Sequence, residues 1–332
     1  MNNFWQQLKQ PFFVLAPMAD VTDAAFRAMI AKYSRPAGPA VFYTEFVSAD
    51  GLCHPAAREK LKRELYFTSA ERPIVAQIFS GRPERIKAAA ALVAELGFDG
   101  LDINLGCPDR SVEKQLAGAG LIKHPTLAKE IISAAGEGAP DLPLSLKTRI
   151  GYTRTDELAS WAETLLSLRP AAIAFHLRTR KEMSKVPAHW DLIKLPLDLA
   201  RGTDTIIIGN GDVSNVAEAR AKAEHYRVPG IMIGRGIFGR PWLFAETQPT
   251  VTERLGICRE HISLFAELYQ SGVTNDRLFA GHTKSFHLMK KHFKAYLQGF
   301  AGAPALRAAM MLCDSPPAAM AVLDNFLATG EN

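Results

Sequence analysis

Short apolar runs alternate with amphipathic stretches eight times between Phe13 and Ile233. The runs are Phe13–Ala16, Val41–Thr44, Ile74–Ile78, Gly100–Asn104, Leu144–Thr148, Ala172–Phe175, Thr205–Gly209 and Gly230–Ile233. Each is apolar over four or five residues, the pattern of a strand covered on both faces. Between them, Arg85–Leu96, Leu127–Ala135, Glu157–Leu168 and Asn215–Glu224 repeat apolar positions at helical spacing. Thr155 and Ser214 are the expected N-caps. Strand then helix, eight times over roughly 240 residues, predicts an α/β chain folded as a (β/α)8 TIM barrel. A doubly wound sheet also alternates strand and helix, but it gathers its site at one switch point. Here polar motifs follow nearly every strand, which favours the barrel. After Pro241 the strands stop. Val251–Gln270, His282–Leu297, Ala305–Leu312 and Ala318–Ala328 read as helices of a small all-helical C-terminal domain. The expected division is 1–245 for the barrel and 246–332 for the helices.

Composition narrows the class. The chain has 332 residues, 48% hydrophobic and 22% charged, close to the soluble average. That excludes extensive disorder and collagen. No apolar run reaches the roughly 18 residues of a membrane span. The polar start, Met1–Gln10, lacks a signal core, so a cytoplasmic protein is expected. The four cysteines (Cys53, Cys107, Cys258, Cys313) are far apart, which predicts neither a disulfide frame nor a metal site. A net charge of +5 hints weakly at a polyanionic partner.

The chemistry-bearing motifs sit at strand ends. Cys107 lies in Asn104-Leu105-Gly106-Cys107-Pro108, a loop bounded by Gly and Pro. There a thiol could be a nucleophile or a general acid, or else a small buried hydrophobe. Lys147 and Arg149 alternate on the fifth strand, so both face one way and suit an anionic ligand, unless they are simply solvated ends. His176 is equally a site residue or a satisfied core histidine. Asn210, Gly211 and Asp212 follow the seventh strand, and Gly234 and Arg235 the eighth. Barrels hold phosphate on glycine-rich loops at these places, and Arg235 could add a charge-assisted contact. A lone pair of such glycines would be an ordinary turn. In the tail, Lys284, Lys290, Lys291 and Lys294 alternate with Phe286, Phe293 and Tyr296, although the tail from Val251 carries only 8 basic against 7 acidic residues. The stretch is either a phosphate-binding face or a solvated helix over an aromatic core stripe.

Taken together these strings resemble the flavin-dependent dihydrouridine synthases. The matched residues are Ala16-Pro17-Met18, Thr22-Asp23, Phe26-Arg27, Thr44-Glu45, Gln77, Asn104 to Pro108, Gly118-Ala119-Gly120, Lys147 with Arg149, and His176 with Arg178-Thr179-Arg180. Trp190, Gly209 to Asp212, Gly234 to Gly236 and Pro241-Trp242 complete the set. The resemblance implies an FMN-holding barrel, an RNA-binding helical domain, and reduction of the C5–C6 bond of selected uridines, mostly in tRNA. NADPH, or NADH, would supply electrons. It further implies FMN contacts from Pro17, Met18, Gln77, Lys147 and His176, with the ribityl-phosphate end on Asn210, Gly211, Asp212, Gly234 and Arg235. Cys107 would be the proton donor, and Asn104 with Arg178 would orient the uracil. Lys290, Lys291 and Lys294 would meet RNA. The sequence departs from the family at Leu177, where glycine is usual, and at Val186 to His189. Three other readings stay open: a small-molecule flavin barrel of the dihydroorotate dehydrogenase or old-yellow-enzyme kind, a ribosomal RNA substrate, and an RNA-binding protein that has lost turnover. Oligomeric state is not legible, with a monomer as the working expectation.

Overall fold

The computed structural model describes residues 3–245, 247–270 and 283–329. Eight parallel strands form one sheet: β1 Phe12–Leu15, β2 Phe42–Ser48, β3 Ile74–Phe79, β4 Gly100–Leu105, β5 Leu144–Arg149, β6 Ala172–His176, β7 Ile206–Asn210 and β8 Gly230–Ile233. Neighbours follow chain order from β2 to β8, and β8 pairs with β1. β1 and β2 meet at a parallel Val14–Val41 bridge, where the Leu15 N–H donates to the Val41 carbonyl at 3.1 Å. The sheet therefore curls into a TIM barrel, as the alternation predicts. Between strands run α1 Ala24–Tyr33, α2 Ala49–Leu52, α3 Pro55–Glu64, α4 Pro83–Glu95, α5 Arg110–Glu113, α6 Pro125–Gly138, α7 Leu158–Leu166, α8 Lys194–Leu199 and α9 Val216–Tyr226. After the barrel come α10 Val251–Tyr269, α11 Lys290–Tyr296, α12 Ala303–Leu312 and α13 Pro316–Thr329.

Several boundaries move, with visible causes. β2 runs on to Ser48, pairing with β3 through Phe79 after its register slips between Tyr43 and Phe46. At the slip the Thr44 hydroxyl donates to the Glu45 carbonyl at 2.8 Å and accepts the Gln77 N–H at 3.2 Å. The two expected N-caps are both corrected. Glu157, not Thr155, closes the turn before α7, accepting N–H groups from Tyr152 at 2.6 Å and Arg154 at 2.9 Å. Asn215, not Ser214, caps α9, accepting the Glu218 N–H at 2.8 Å. The helix expected over His282–Leu297 is shorter. His282 lies outside the described residues, and a 3-10 turn, Phe286–Met289, precedes α11.

The contacts divide the chain into two compact units. The first is 1–18, 39–65 and 71–235; the second is 19–38, 66–70 and 236–332. The second unit thus takes α1 from within the βα succession. The recruitment has a local logic: Asp23 caps α1 by accepting the Phe26 N–H at 2.9 Å. Arg27, with no exposed surface, donates to the Thr22 carbonyl at 2.8 Å and to the Tyr66 carbonyl. The Tyr269 hydroxyl accepts the Ala24 N–H at 3.2 Å, which ties α1 to α10.

Candidate active site

The loop after β4 is fixed from two sides. The Asn104 carboxamide oxygen accepts the N–H groups of Gly106 at 3.1 Å and Cys107 at 2.9 Å. Its nitrogen donates to Gln77 Oε1 at 3.1 Å, and Gln77 Nε2 donates to Asp102 Oδ2 at 2.7 Å. Ser145 donates to the other Asp102 oxygen at 2.6 Å. From the far side, Ala119 N–H donates to the Cys107 carbonyl at 2.9 Å. Gly118 has φ +58°, and a Cβ there would lie 2.7 Å from that carbonyl, so this close approach requires glycine. Arg149 braces the same loop, donating to the Gly106 carbonyl at 2.9 Å and to the Thr179 and Met183 carbonyls at 3.1 Å.

Burial sets the protonation states. It pushes the half-buried Cys107 thiol above its ordinary value, and the Asp109 N–H and the charges of Lys147 and Arg149 do not reverse this. Lys147 stands opposite Asn104 in the β4–β5 register. Burial first, then the charge of Arg149, lower it to about 8, so it is mostly an ammonium at neutral pH. No hydrogen bond joins that ammonium to any described residue. Burial raises Asp102 to about 7, against the hydrogen bonds of Ser145 and Gln77 and the charge of Lys147. His176 is held well below its ordinary value by burial, then by Arg149, Lys147, Arg178 and Arg235. Arg178 Nη1 lies 3.3 Å from His176 Nε2. An arginine only donates, so the neutral imidazole carries its proton on Nδ1.

The β7 and β8 loops form a second cluster. Asn210 donates to the Met232 carbonyl at 2.8 Å. Gly211 has φ +129°, and a Cβ there would meet Ala188 at 2.9 Å; Trp190 Nε1 donates to its carbonyl at 2.8 Å. Asp212 accepts from Arg178, from the Ala188 N–H at 2.9 Å and from Arg235 at 3.2 Å. Burial pushes its carboxyl up, but the Arg178 and Ala188 hydrogen bonds and the two cations outweigh that and hold it low. Arg235 is exposed, Pro17 is buried, and half-buried Met18 faces Gly234, where a Cβ would stand 3.7 Å from its sulfur.

The structure therefore brings Asn104, Cys107 and Gln77 into one network with Lys147 alongside, and His176, Arg178, Asp212 and Arg235 into another. Two of the residues singled out by the resemblance are enclosed by protein partners. Gln77, expected against a cofactor, has no exposed surface and is bonded at both ends of its amide. Arg178, expected at the substrate, is 2% exposed and held by Asp212, His176 and the Val186 carbonyl at 2.6 Å. Leu177 is fully buried, its N–H on the Asn210 carbonyl at 2.9 Å. Sequence reasoning missed Asp102 and Ser145. An acid two residues before Asn104, in an otherwise apolar strand, was the available signal.

In the second unit, Lys290, Lys291, Lys294 and Arg307 line one groove with Pro304, Ala308 and Met311. Lys291 and Lys294 are exposed, and Lys290 is half-buried and 3.4 Å from Asp314. Lys291 reaches the Asp20 carboxylate at 3.6 Å. Phe286, Phe293 and Tyr296 are buried, so the aromatic stripe is core.

The fold is that of a TIM-barrel enzyme, and the polar clusters at its strand ends form a candidate site at the C-terminal face of the sheet. The family profile described as dihydrouridine synthase (Dus) matches residues 14–329, and the chain belongs to that family. It is 42% identical over 332 residues to the "Probable tRNA-dihydrouridine synthase 2" of Bacillus subtilis (strain 168), covering 98% of this chain and 97% of the relative. It is 40% identical over 330 residues to the "Probable tRNA-dihydrouridine synthase" of Staphylococcus aureus (strain MRSA252), covering 98% and 96%. Among solved structures, histamine dehydrogenase from Rhizobium sp. 4-9 is similar with a TM-score of 0.52 at 12% identity, over 76% of this chain and 48% of that one. A 2-naphthoyl-CoA reductase complex is similar with a TM-score of 0.51 at 14% identity, over 71% and 50%. The chain spans about half the length of these two structures, and the likeness is one of fold.

Proposed function

We propose that the chain is an FMN-dependent dihydrouridine synthase that reduces the C5–C6 double bond of specific uridines in tRNA, with NADPH or NADH as electron source and Cys107 as proton donor. The observation that carries this reading is a thiol kept protonated on a rigid loop, beside an ammonium, Lys147, that no described residue binds. The donor set fits the cofactor. Lys147 and neutral His176 offer a cation and a ring to the isoalloxazine, with Pro17 on the same loop as Met18, whose sulfur faces Gly234. Gly211, Asp212, Gly234 and Arg235 form a cradle for the phosphate end, with Asn210 fixing the loop. Asp212 bridges Arg178 and Arg235, so the cradle keeps a net positive charge for a phosphate.

When bound, FMN would supply the hydride for uracil C6. Cys107 would then give its proton to C5, a role that suits a thiol whose unperturbed pKa of about 8.5 is raised further by burial. Asn104 holds Cys107 through its oxygen and keeps one amide hydrogen for a base carbonyl. Arg178 serves from behind, orienting Asp212 and His176. In the helical unit, Lys290, Lys291, Lys294 and Arg307 would meet RNA phosphates, offsetting the few kcal/mol that it costs to unstack the target base.

The deciding experiment maps dihydrouridine by mass spectrometry in tRNA and ribosomal RNA from cells with and without this protein. Loss at particular tRNA positions is the expected result. Loss confined to ribosomal RNA would keep the chemistry and replace the substrate. An unchanged map, with redundant enzymes removed, would overturn the proposal.

A further inference from the structure

We infer that Asp102 is a positioning residue: its carboxylate fixes the amide orientations of Gln77 and Asn104, and through them the conformation of the Cys107 loop. The donor and acceptor polarity is set from the loop inward. Gly106 and Cys107 present two backbone N–H groups, so the Asn104 atom facing them, at 3.1 and 2.9 Å, must be the oxygen. The Asn104 nitrogen then faces Gln77, whose nearer atom, 3.1 Å away, must be its oxygen. The Gln77 nitrogen is left pointing at residue 102, and the group 2.7 Å away there must accept. A carboxylate satisfies this in one way only. Ser145 donates to its second oxygen at 2.6 Å, and the Tyr43 hydroxyl lies 3.4 Å beyond.

Reversing Asn104 would set donor against donor at the loop, and reversing Gln77 would set donor against donor at Asn104 and acceptor against acceptor at Asp102. Asp102, Gln77, Asn104 and Ser145 are all buried, at 0, 0, 5 and 1% exposure, so water has little access to repair such a mismatch. None of their buried side-chain polar atoms lacks a partner. The row is thus a relay of hydrogen-bond polarity from the barrel interior to the thiol. Its mechanistic importance rests on the proposed role of Cys107, whereas its existence does not.

The test reads the loop without reading turnover. Purified protein is treated with iodoacetamide, and alkylation of Cys107 is followed by peptide mass, with half-buried Cys53 as internal control. Asp102→Leu removes the acceptor and should raise the Cys107 rate about tenfold, as for one lost buried hydrogen bond, with Cys53 unchanged. Asp102→Asn can still accept from Gln77 while donating to Ser145, so its Cys107 rate should stay within about twofold of wild type. Gln77→Leu should match Asp102→Leu, and the double variant should be no faster than either single, because both cut one row. Additive effects, or an unchanged Cys107 rate in Asp102→Leu, would overturn the relay. If Asp102→Leu does not fold, Gln77→Leu and Asp102→Asn decide: the first must accelerate Cys107 and the second must not. Turnover by Cys107→Ala judges the proton-donor role separately. A relay confirmed alongside an active Cys107→Ala would remove that role and leave the relay standing.

Discussion

Around Cys107, the buried polar atoms of Asp102, Gln77, Asn104 and Arg149 all have partners. On α11, Lys294 extends into solvent, while Lys291 and Lys290 each have one acidic neighbour, Asp20 at 3.6 Å and Asp314 at 3.4 Å, and both carboxylates are themselves exposed. The contrast fits the two tasks proposed for these regions. A proton donor must be placed to a fraction of an ångström, which requires neighbours that cannot move. A phosphate-binding surface gains from charges that stay hydrated and adaptable until a polyanion arrives, and a locked ion pair would only compete with it. Under that proposal, rigidity at the thiol and looseness at the lysines answer two different physical demands.

The largest effect should come from the rigid region. Cys107→Ala should lower uridine reduction by roughly 10²–10⁴, the usual range for a general acid, while flavin content stays unchanged. Normal product formation would break the comparison at its first term. Lys147→Met keeps the stem and removes the charge. Turnover should fall about a hundredfold, as for one lost electrostatic stabiliser, and flavin absorbance near 450 nm should fall with it. Full flavin occupancy with full activity would show that the unbound ammonium serves neither. For the loose region, Lys290, Lys291 and Lys294 replaced by Glu should weaken RNA binding by about 10- to 100-fold near 0.1 M salt. The same change should flatten the salt dependence by about two to three units of slope. An affinity that is unchanged across a salt series would move the RNA surface elsewhere.

How much of this was legible differs between the same two regions. The eight strands were readable because short, mostly apolar runs of four or five residues recur between helical stretches, and Lys147, His176 and Asn210 were readable because polar residues stand out at such strand ends. Cys107 was marked by its Gly-Cys-Pro setting. The division of the chain was less readable. Recruitment of α1 into the helical unit depends on Arg27 reaching the Tyr66 carbonyl and on Ala24 meeting Tyr269, contacts between residues far apart in sequence. The hydrogen-bond direction that singles out Asp102 was equally hidden, since it emerges only when three strands are laid side by side. Arg178 shows the opposite case. A family string suggested contact with substrate, yet the side chain is enclosed by Asp212, His176 and Val186.

The smallest expected effect concerns acid, and it separates the two units by sign. Between pH 7 and 5, two shifted groups matter in the barrel unit. Asp102 has a folded pKa raised to about 7 from 3.8, so the folded state binds a proton more readily and gains stability as pH falls through that window. His176 is depressed, so it loses stability as pH falls below its unfolded value of 6.5. The two oppose each other. In the helical unit the signs agree. His261 and His292 are both buried and both depressed by burial, His292 to about 3. The His292 ring accepts the Gly239 N–H at 3.1 Å and packs 4.2 Å from the Phe26 ring, leaving no room for a hydrated imidazolium. Its contribution is complete above pH 6.5 and declines from there toward 3, amounting to about 2 kcal/mol lost at pH 5. Hydrogen exchange at pH 7 and 5, corrected for intrinsic rates, should show α10 and α11 losing protection while β4 and β5 keep theirs. Equal loss in both units would mean that the paired histidines are not what makes the helical unit acid-sensitive. Replacing His261 with Phe, which keeps the aromatic packing beside Phe26 and removes one titrating ring, should then restore part of the protection at pH 5 but change little at pH 7.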